Sequence, residues 1–83
     1  MERAIEIAKD LTAHYKRIAV RRVRVDGEQV DLEIEGNVSL PWLAKRILDR
    51  HAEIYWVNIN DCWIFSRETL KWLGYDNDSD STL

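Results

Sequence analysis

Residues 18–35, IAVRRVRVDGEQVDLEIE, decide the fold because apolar and charged residues alternate on both sides of Asp26-Gly27. Alternation with a period of two is typical of a half-buried strand, and Asp-Gly between two such runs predicts a hairpin. If Val25 pairs with Val30 across the loop 26–29, the apolar residues share one face. Three further pairs then lie opposite one another: Val23 and Leu32, Arg24 and Asp31, and Arg22 and Glu33. A slip of one residue would set Val against Asp.

Two details of this hairpin have alternatives. A two-residue turn at Asp26-Gly27 keeps the alternation but retains only one charge pair, between Arg22 and Asp31, so the longer loop is favoured. Ile18 and Val20 are out of phase with the valines that follow. Either the first strand begins near Arg21, or a β-bulge lies at Arg21-Arg22.

Two longer helices flank this hairpin. Apolar residues at spacings of three and four predict a helix over 2–17, with Ile5 beside its buried face, and a second helix that ends near His51. Ser39 is a suitable N-cap for the second helix, and Pro41 lies in its first turn. Its apolar stripe comprises Leu40, Leu43, Ala44, Ile47 and Leu48.

A second hairpin is predicted from residues 54–59 and 62–65, joined by a two-residue turn at Asn60-Asp61. Pairing Ile59 with Cys62 would place four side chains on one face: Trp56, Asn58, Trp63 and Phe65. Ser66 is then positioned to cap a short last helix that stops at Gly74.

We therefore expect an α+β fold with the order α-β-β-α-β-β-α. Its four-stranded, mainly antiparallel sheet carries the two longer helices on one face, and a short C-terminal helix follows. Residues 1–75 form a single domain. Residues 76–83 contain three aspartates and one apolar side chain, so we expect a disordered acidic tail.

Composition argues against several classes of function. The single Cys and two scattered His residues do not form a zinc signature, and we expect no metal and no cofactor. Cys62 lies in an apolar run, which favours a buried, inert thiol over a nucleophile, so we expect no enzymatic activity. No apolar run is long enough to span a membrane, and the amino terminus lacks a signal peptide, so the expected compartment is the cytoplasm.

Aromatic residues indicate a protein-binding module instead. Four Trp in 83 residues exceed what one small core readily covers. The candidate contact residues are Trp56, Trp63, Phe65 and Trp42. They would bind another protein or a second copy of the chain. The alternative is that the stripe of aromatic residues belongs to the core beneath the last helix.

A second candidate surface is the acidic segment 26–35, in which we single out Glu28, Glu33 and Glu35. Carboxylates in this density suit the basic groove of a nucleic-acid enzyme, as in small inhibitors encoded by phages and mobile elements. The alternative is a solvated strand face paired with arginines. The chain would then be an accessory, regulatory or inhibitory protein.

Basic residues in the amino-terminal third suggest the alternative function of a weak nucleic-acid binder. Five bases occur within nine residues: Lys16, Arg17, Arg21, Arg22 and Arg24. The predicted hairpin register places carboxylates beside two of the arginines, and the net charge of -3 opposes binding driven by phosphate contacts.

Overall fold

The computed structural model describes residues 2–75, and within them the predicted order of elements is confirmed. The elements are α1 (Glu2–His14), β1 (Ile18–Asp26), β2 (Gln29–Gly36), α2 (Leu40–Arg50), β3 (Trp56–Ile59), β4 (Trp63–Ser66) and α3 (Arg67–Trp72). The predicted tail, 76–83, lies outside the described residues.

The four strands form one sheet in the order β1-β2-β3-β4. The two hairpins are antiparallel, whereas β2 and β3 run parallel and are connected through α2. A parallel pair needs such a long crossover, because a tight turn cannot return the chain in the same direction. The α+β fold class is thus confirmed, with a sheet that is mixed and mainly antiparallel.

The register of the first hairpin agrees with its sequence pattern. Val25 pairs with Val30, and the three further pairs predicted from charge and burial all occur. Pairing extends by one residue, to Asp26 opposite Gln29, so the turn consists of Gly27 and Glu28. The register shifts between Val20 and Arg22, so β1 starts at Ile18 and contains the bulge.

The core lies between one face of the sheet and the helices. On β2 the buried side chains are Val30, Leu32 and Ile34, and α2 contributes the predicted Leu43, Ala44, Ile47 and Leu48. α1 packs on β1, while α2 packs on β3 and β4. Leu11 of α1 is buried, as its spacing predicts, but the prediction for Ile5 is wrong: Ile7 is buried in its place, and Ile5 remains 52% exposed.

The predicted register of the second hairpin is wrong by one residue. Asn60 and Asp61 form the turn with φ of 57° and 56°, and the Cys62 N–H donates to the Ile59 carbonyl at 3.2 Å. Beyond this turn, however, Ile59 pairs with Trp63, so Cys62 is an extra residue on the second strand. A one-residue slip moves every side chain of β4 to the other face.

A bidentate ion pair joins the two longer helices. Arg46 donates from Nε and Nη2 to the two carboxylate oxygens of Asp10, each at 2.8 Å, and both side chains are about one quarter exposed. The hydrogen bond from Arg46 lowers the pKa of Asp10 below its ordinary value of 3.8. The pair therefore fixes how α1 lies against α2.

We predict that Asp10→Asn lowers the free energy of unfolding by about 1–3 kcal/mol at pH 7, because it leaves a half-buried guanidinium without its carboxylate. Since the pKa of Asp10 is lowered by folding, the stabilisation is fully present above pH 4–5, about one unit above the ordinary carboxyl pKa. It is lost as the pH falls through the lowered value.

Urea unfolding at pH 7 and pH 3 measures this effect. The matched control is Glu35→Gln, which removes the surface pair with Arg21, whose two side chains are both more than half exposed, and should cost no more than about 0.5 kcal/mol. Equal losses for the two variants at pH 7 would contradict the role assigned to Asp10.

Gly36, the last residue of β2, lies against the backbone of Arg17 and Ile18 at the start of β1. Its φ is +123°, and a Cβ at this position would lie 2.3 Å from the Arg17 carbonyl oxygen and 2.7 Å from the Ile18 Cα. Both neighbours are backbone atoms, so a side chain here meets strain and a clash together.

We predict that Gly36→Ala costs at least about 2 kcal/mol of unfolding free energy. Gly27→Ala is the control, because Gly27 also has a positive φ (+62°) but an added Cβ meets nothing within 4 Å. It should cost about 1 kcal/mol from the left-handed backbone alone. Thermal or chemical unfolding that ranked Gly27→Ala as the more damaging change would refute this account.

Candidate functional site

The face of the sheet opposite the helices, here called the open face, is divided into a charged half and an apolar half. On β1 and β2 it presents Arg22, Arg24, Gln29, Asp31, Glu33 and Glu35. On β3 and β4 it presents Trp56, Asn58, Ile64 and Ser66. The parallel pairing of β2 with β3 brings the halves together, with Gln29 beside Trp56 and Asp31 beside Asn58.

The charged half of the open face largely neutralises itself. Arg21, in the bulge, donates to the Glu35 carboxylate, which raises the pKa of Arg21 above its ordinary value. Arg24 lies 3.9 Å from the Asp26 carboxylate. Arg22 and Arg24 face Glu33 and Asp31 in the predicted register. This half thus sets three arginines against four carboxylates and presents no basic surface.

The apolar half centres on two large exposed side chains. Trp56 is 46% exposed and Ile64 is 61% exposed. Asn58 lies directly opposite Ile64, and its Oδ1 atom is buried without a hydrogen-bond partner among residues 2–75. The exposed side chain of Ile64 thus lies next to a buried oxygen of Asn58 that no described residue satisfies.

A cleft of about 360 Å³ opens beside this apolar half. It is lined by Tyr55, Trp56, Ser66, Arg67 and Glu68. Its position follows from the turn of the first hairpin, since the Glu28 carbonyl accepts from the backbone N–H groups of Tyr55, at 2.8 Å, and Trp56, at 3.2 Å. The cleft suits an apolar or aromatic side chain of a ligand.

Arg67 makes one wall of the cleft rigid. Its Nη2 atom donates to the carbonyls of Leu48 at 2.7 Å and His51 at 3.2 Å, at the end of α2. Its guanidinium also lies over the Tyr55 ring, 5.7 Å from the ring centre. An arginine at a helix carboxyl end satisfies carbonyls that lack partners within the helix. The wall is therefore held in place before any ligand binds.

Exposed apolar side chains are concentrated in residues 55–73, here called the apolar segment. Seven large apolar residues of the described chain are exposed, and Ile5 is the only one outside this segment. The six within it are Tyr55, Trp56, Trp63, Ile64, Trp72 and Leu73. This distribution differs from the scattered single residues that ordinary protein surfaces show.

The predicted aromatic residues do not share one face, and that prediction is wrong. Phe65 is a core residue at 7% exposure, because the extra residue Cys62 turns it inward opposite Val57. Trp63 lies on the helix side of the sheet but at its edge, and is 55% exposed. Trp42 is half-buried, with its ring edge-to-face on Tyr75 at 4.7 Å. Trp56 alone among the four lies on the open face.

The residues that the prediction missed are Ile64, Tyr55 and Trp72, which is 83% exposed. The signal for Ile64 was present, since both faces of the second hairpin were apolar in the sequence. The prediction of a buried Cys62 is also wrong, because the thiol is exposed. Lys16, Arg17 and the other predicted basic residues are exposed, as are Glu28, Glu33 and Glu35.

Comparisons add no relative to this description: no protein-family model, curated protein or solved structure matches the chain. Within residues 2–75, no three His, Cys, Asp or Glu side chains are arranged to hold a metal ion. None of the helices described above is long and apolar enough to cross a bilayer. The candidate site therefore rests on its own geometry.

The corrected register leads to a prediction for two adjacent residues. Phe65→Ala should cost about 3–5 kcal/mol of unfolding free energy, because it opens a cavity in the core. Ile64→Ala should cost less than about 1 kcal/mol, because most of that side chain is in water. Chemical unfolding of the two variants tests this ranking, and the reverse order would restore the register predicted from sequence.

Proposed function

We propose that the chain is a small, non-enzymatic protein-binding module that contacts its partner through the apolar half of the open face. The observation that carries this proposal is that Trp56 and Ile64 are both exposed on the open face, beside a preformed cleft. Such a module would work as an accessory, regulatory or inhibitory protein.

Energetic reasons support this surface over the remainder of the chain. Tryptophan and tyrosine bury large areas at little cost in side-chain entropy, which is why they dominate binding hot spots. The sheet backbone and Arg67 hold Trp56 and Tyr55 in position, so little conformational freedom is lost when a partner binds.

The two charge-based functions receive less support. A nucleic-acid binder using Lys16 to Arg24 would need unneutralised cations, yet Arg21 is paired with Glu35 and Arg24 lies near Asp26. An inhibitor acting through Glu28, Glu33 and Glu35 would need free carboxylates, and the same pairing occupies Glu35. Aromatic contact is the stronger basis for binding on this face.

Affinity capture from extracts of the native host tests the proposal. We predict that Trp56→Ala weakens retention of the partner at least about tenfold in Kd, the loss typical of a hot-spot truncation. Ile5→Ala, which removes a comparably exposed side chain from α1, should leave retention unchanged. Circular dichroism establishes that both variants are folded.

Salt dependence provides the second readout. Retention through apolar contacts should change little between 50 and 500 mM salt, about a tenfold range, whereas phosphate contacts weaken steeply. If Trp56→Ala binds as wild type does, or if captured nucleic acid is released by salt, the proposed surface is wrong.

A further inference from the structure

The two edges of the sheet are protected to very different degrees. β1, at one edge, contains a bulge and the arginines Arg21, Arg22 and Arg24. Charges and bulges on an edge strand discourage pairing with another chain. β4, at the other edge, consists of Trp63, Ile64, Phe65 and Ser66, with no charge and no proline. Within residues 2–75, β4 is therefore the apolar edge of the sheet and the one suited to strand addition.

From this asymmetry and the register of β4 we infer that β4 pairs antiparallel with β4 of a second copy. A two-fold axis perpendicular to the sheet at Ile64 produces the pairing. The inference rests on the proposed function and extends it by naming the occupant of this edge. The two sheets then form one continuous eight-stranded sheet.

The alternation of side chains between the two faces of β4 makes this arrangement self-complementary. Directly opposite residues of an antiparallel pair must share a face. With Ile64 on the axis, Ile64 of one copy meets Ile64 of the other on the open face. Trp63 of one copy lies opposite Phe65 of the other on the helix side, where both side chains already point. The two most exposed side chains of β4, at 55% and 61%, are thus the ones that gain contacts.

The pairing also enlarges the proposed binding surface. A two-fold axis perpendicular to the sheet keeps both open faces on the same side. The apolar half of each copy, with its Trp56 and Ile64, then adjoins the apolar half of the other. A partner would meet one continuous surface with two clefts, lined in each copy by Tyr55 and Trp56.

Disulfide trapping tests the register. In a Cys62→Ser background, Ile64→Cys places two thiols across the axis. Opposite Cα atoms of an antiparallel pair are about 4.5–5.5 Å apart, within the range that a disulfide spans. We expect mild oxidation to cross-link this variant at least about tenfold faster than Ile5→Cys in the same background, a difference equal to 1.4 kcal/mol in activation free energy. Equal rates would overturn the inference.

Light scattering of the unlabelled protein tests the assembly itself. We expect a concentration-dependent mass approaching twice 9.8 kDa for wild type. Trp63→Lys should raise the dimer dissociation constant at least about tenfold, and Ile5→Lys should not change it. If Trp63→Lys proves unfolded by circular dichroism, Ile64→Lys replaces it, since that side chain is largely in water.

A wild-type mass of one chain at concentrations up to about 1 mM overturns the pairing, because a contact weaker than that is not a stable interface. Trp56 lies on β3, away from the edge, so Trp56→Ala should leave the dimer intact while weakening capture of the partner protein. A monomer whose capture still depends on Trp56 would refute the pairing and leave the proposed function standing.

Discussion

The pairing of β2 with a strand on each side is the constraint from which the other features of the molecule follow. Val30, Leu32 and Ile34 point into the core, so their neighbours on β2 must point away from it. This strand and the turn before it anchor the second hairpin: the carbonyl of Glu28, in the turn, accepts from Tyr55 and Trp56, and the carbonyl of Leu32, on β2, accepts from Asn60 at 2.8 Å. The Asn60 side chain accepts in turn from the Ile34 N–H at 2.9 Å. One strand thus sets both the buried face and the position of the candidate site.

The sequence predicts the first hairpin and fails on the second for the same physical reason. From Arg22 to Val25 on β1 and from Val30 to Glu35 on β2, apolar and charged residues alternate, so a slip would bury charge and the pattern specifies this part of the register. On β3 and β4 either face can be buried, because Trp56, Val57, Ile64 and Phe65 are all apolar. The decision then depends on one extra backbone residue, Cys62, which hydrophobic periodicity does not reveal. That single position moved Phe65 into the core and Ile64 into water.

The same ambiguity about which face of the second hairpin is buried limits what the sequence predicts about the candidate site. On the charged half of the open face, Arg21 pairs with Glu35 and Arg24 lies near Asp26. The parallel neighbours β2 and β3 set Gln29 beside Trp56 and Asp31 beside Asn58, so the charged and apolar halves adjoin. Sequence alone placed Trp56 among the candidates, whereas the contribution of Tyr55 and Arg67 to the cleft required the fold. Tyr55 directly precedes β3 and Arg67 opens α3, and periodicity within either element does not show that the two side chains meet.

Arg67 has a consequence for redesign of this protein. The same guanidinium that lines the cleft also satisfies the carbonyls at the end of α2 and covers Tyr55. The shape of the recognition surface is therefore coupled to the integrity of a core helix, and a library that randomised the whole cleft would select for folding before it selected for affinity. Substitutions at Trp56 and Glu68 are the better route to a new binding specificity, with Arg67 retained as part of the scaffold.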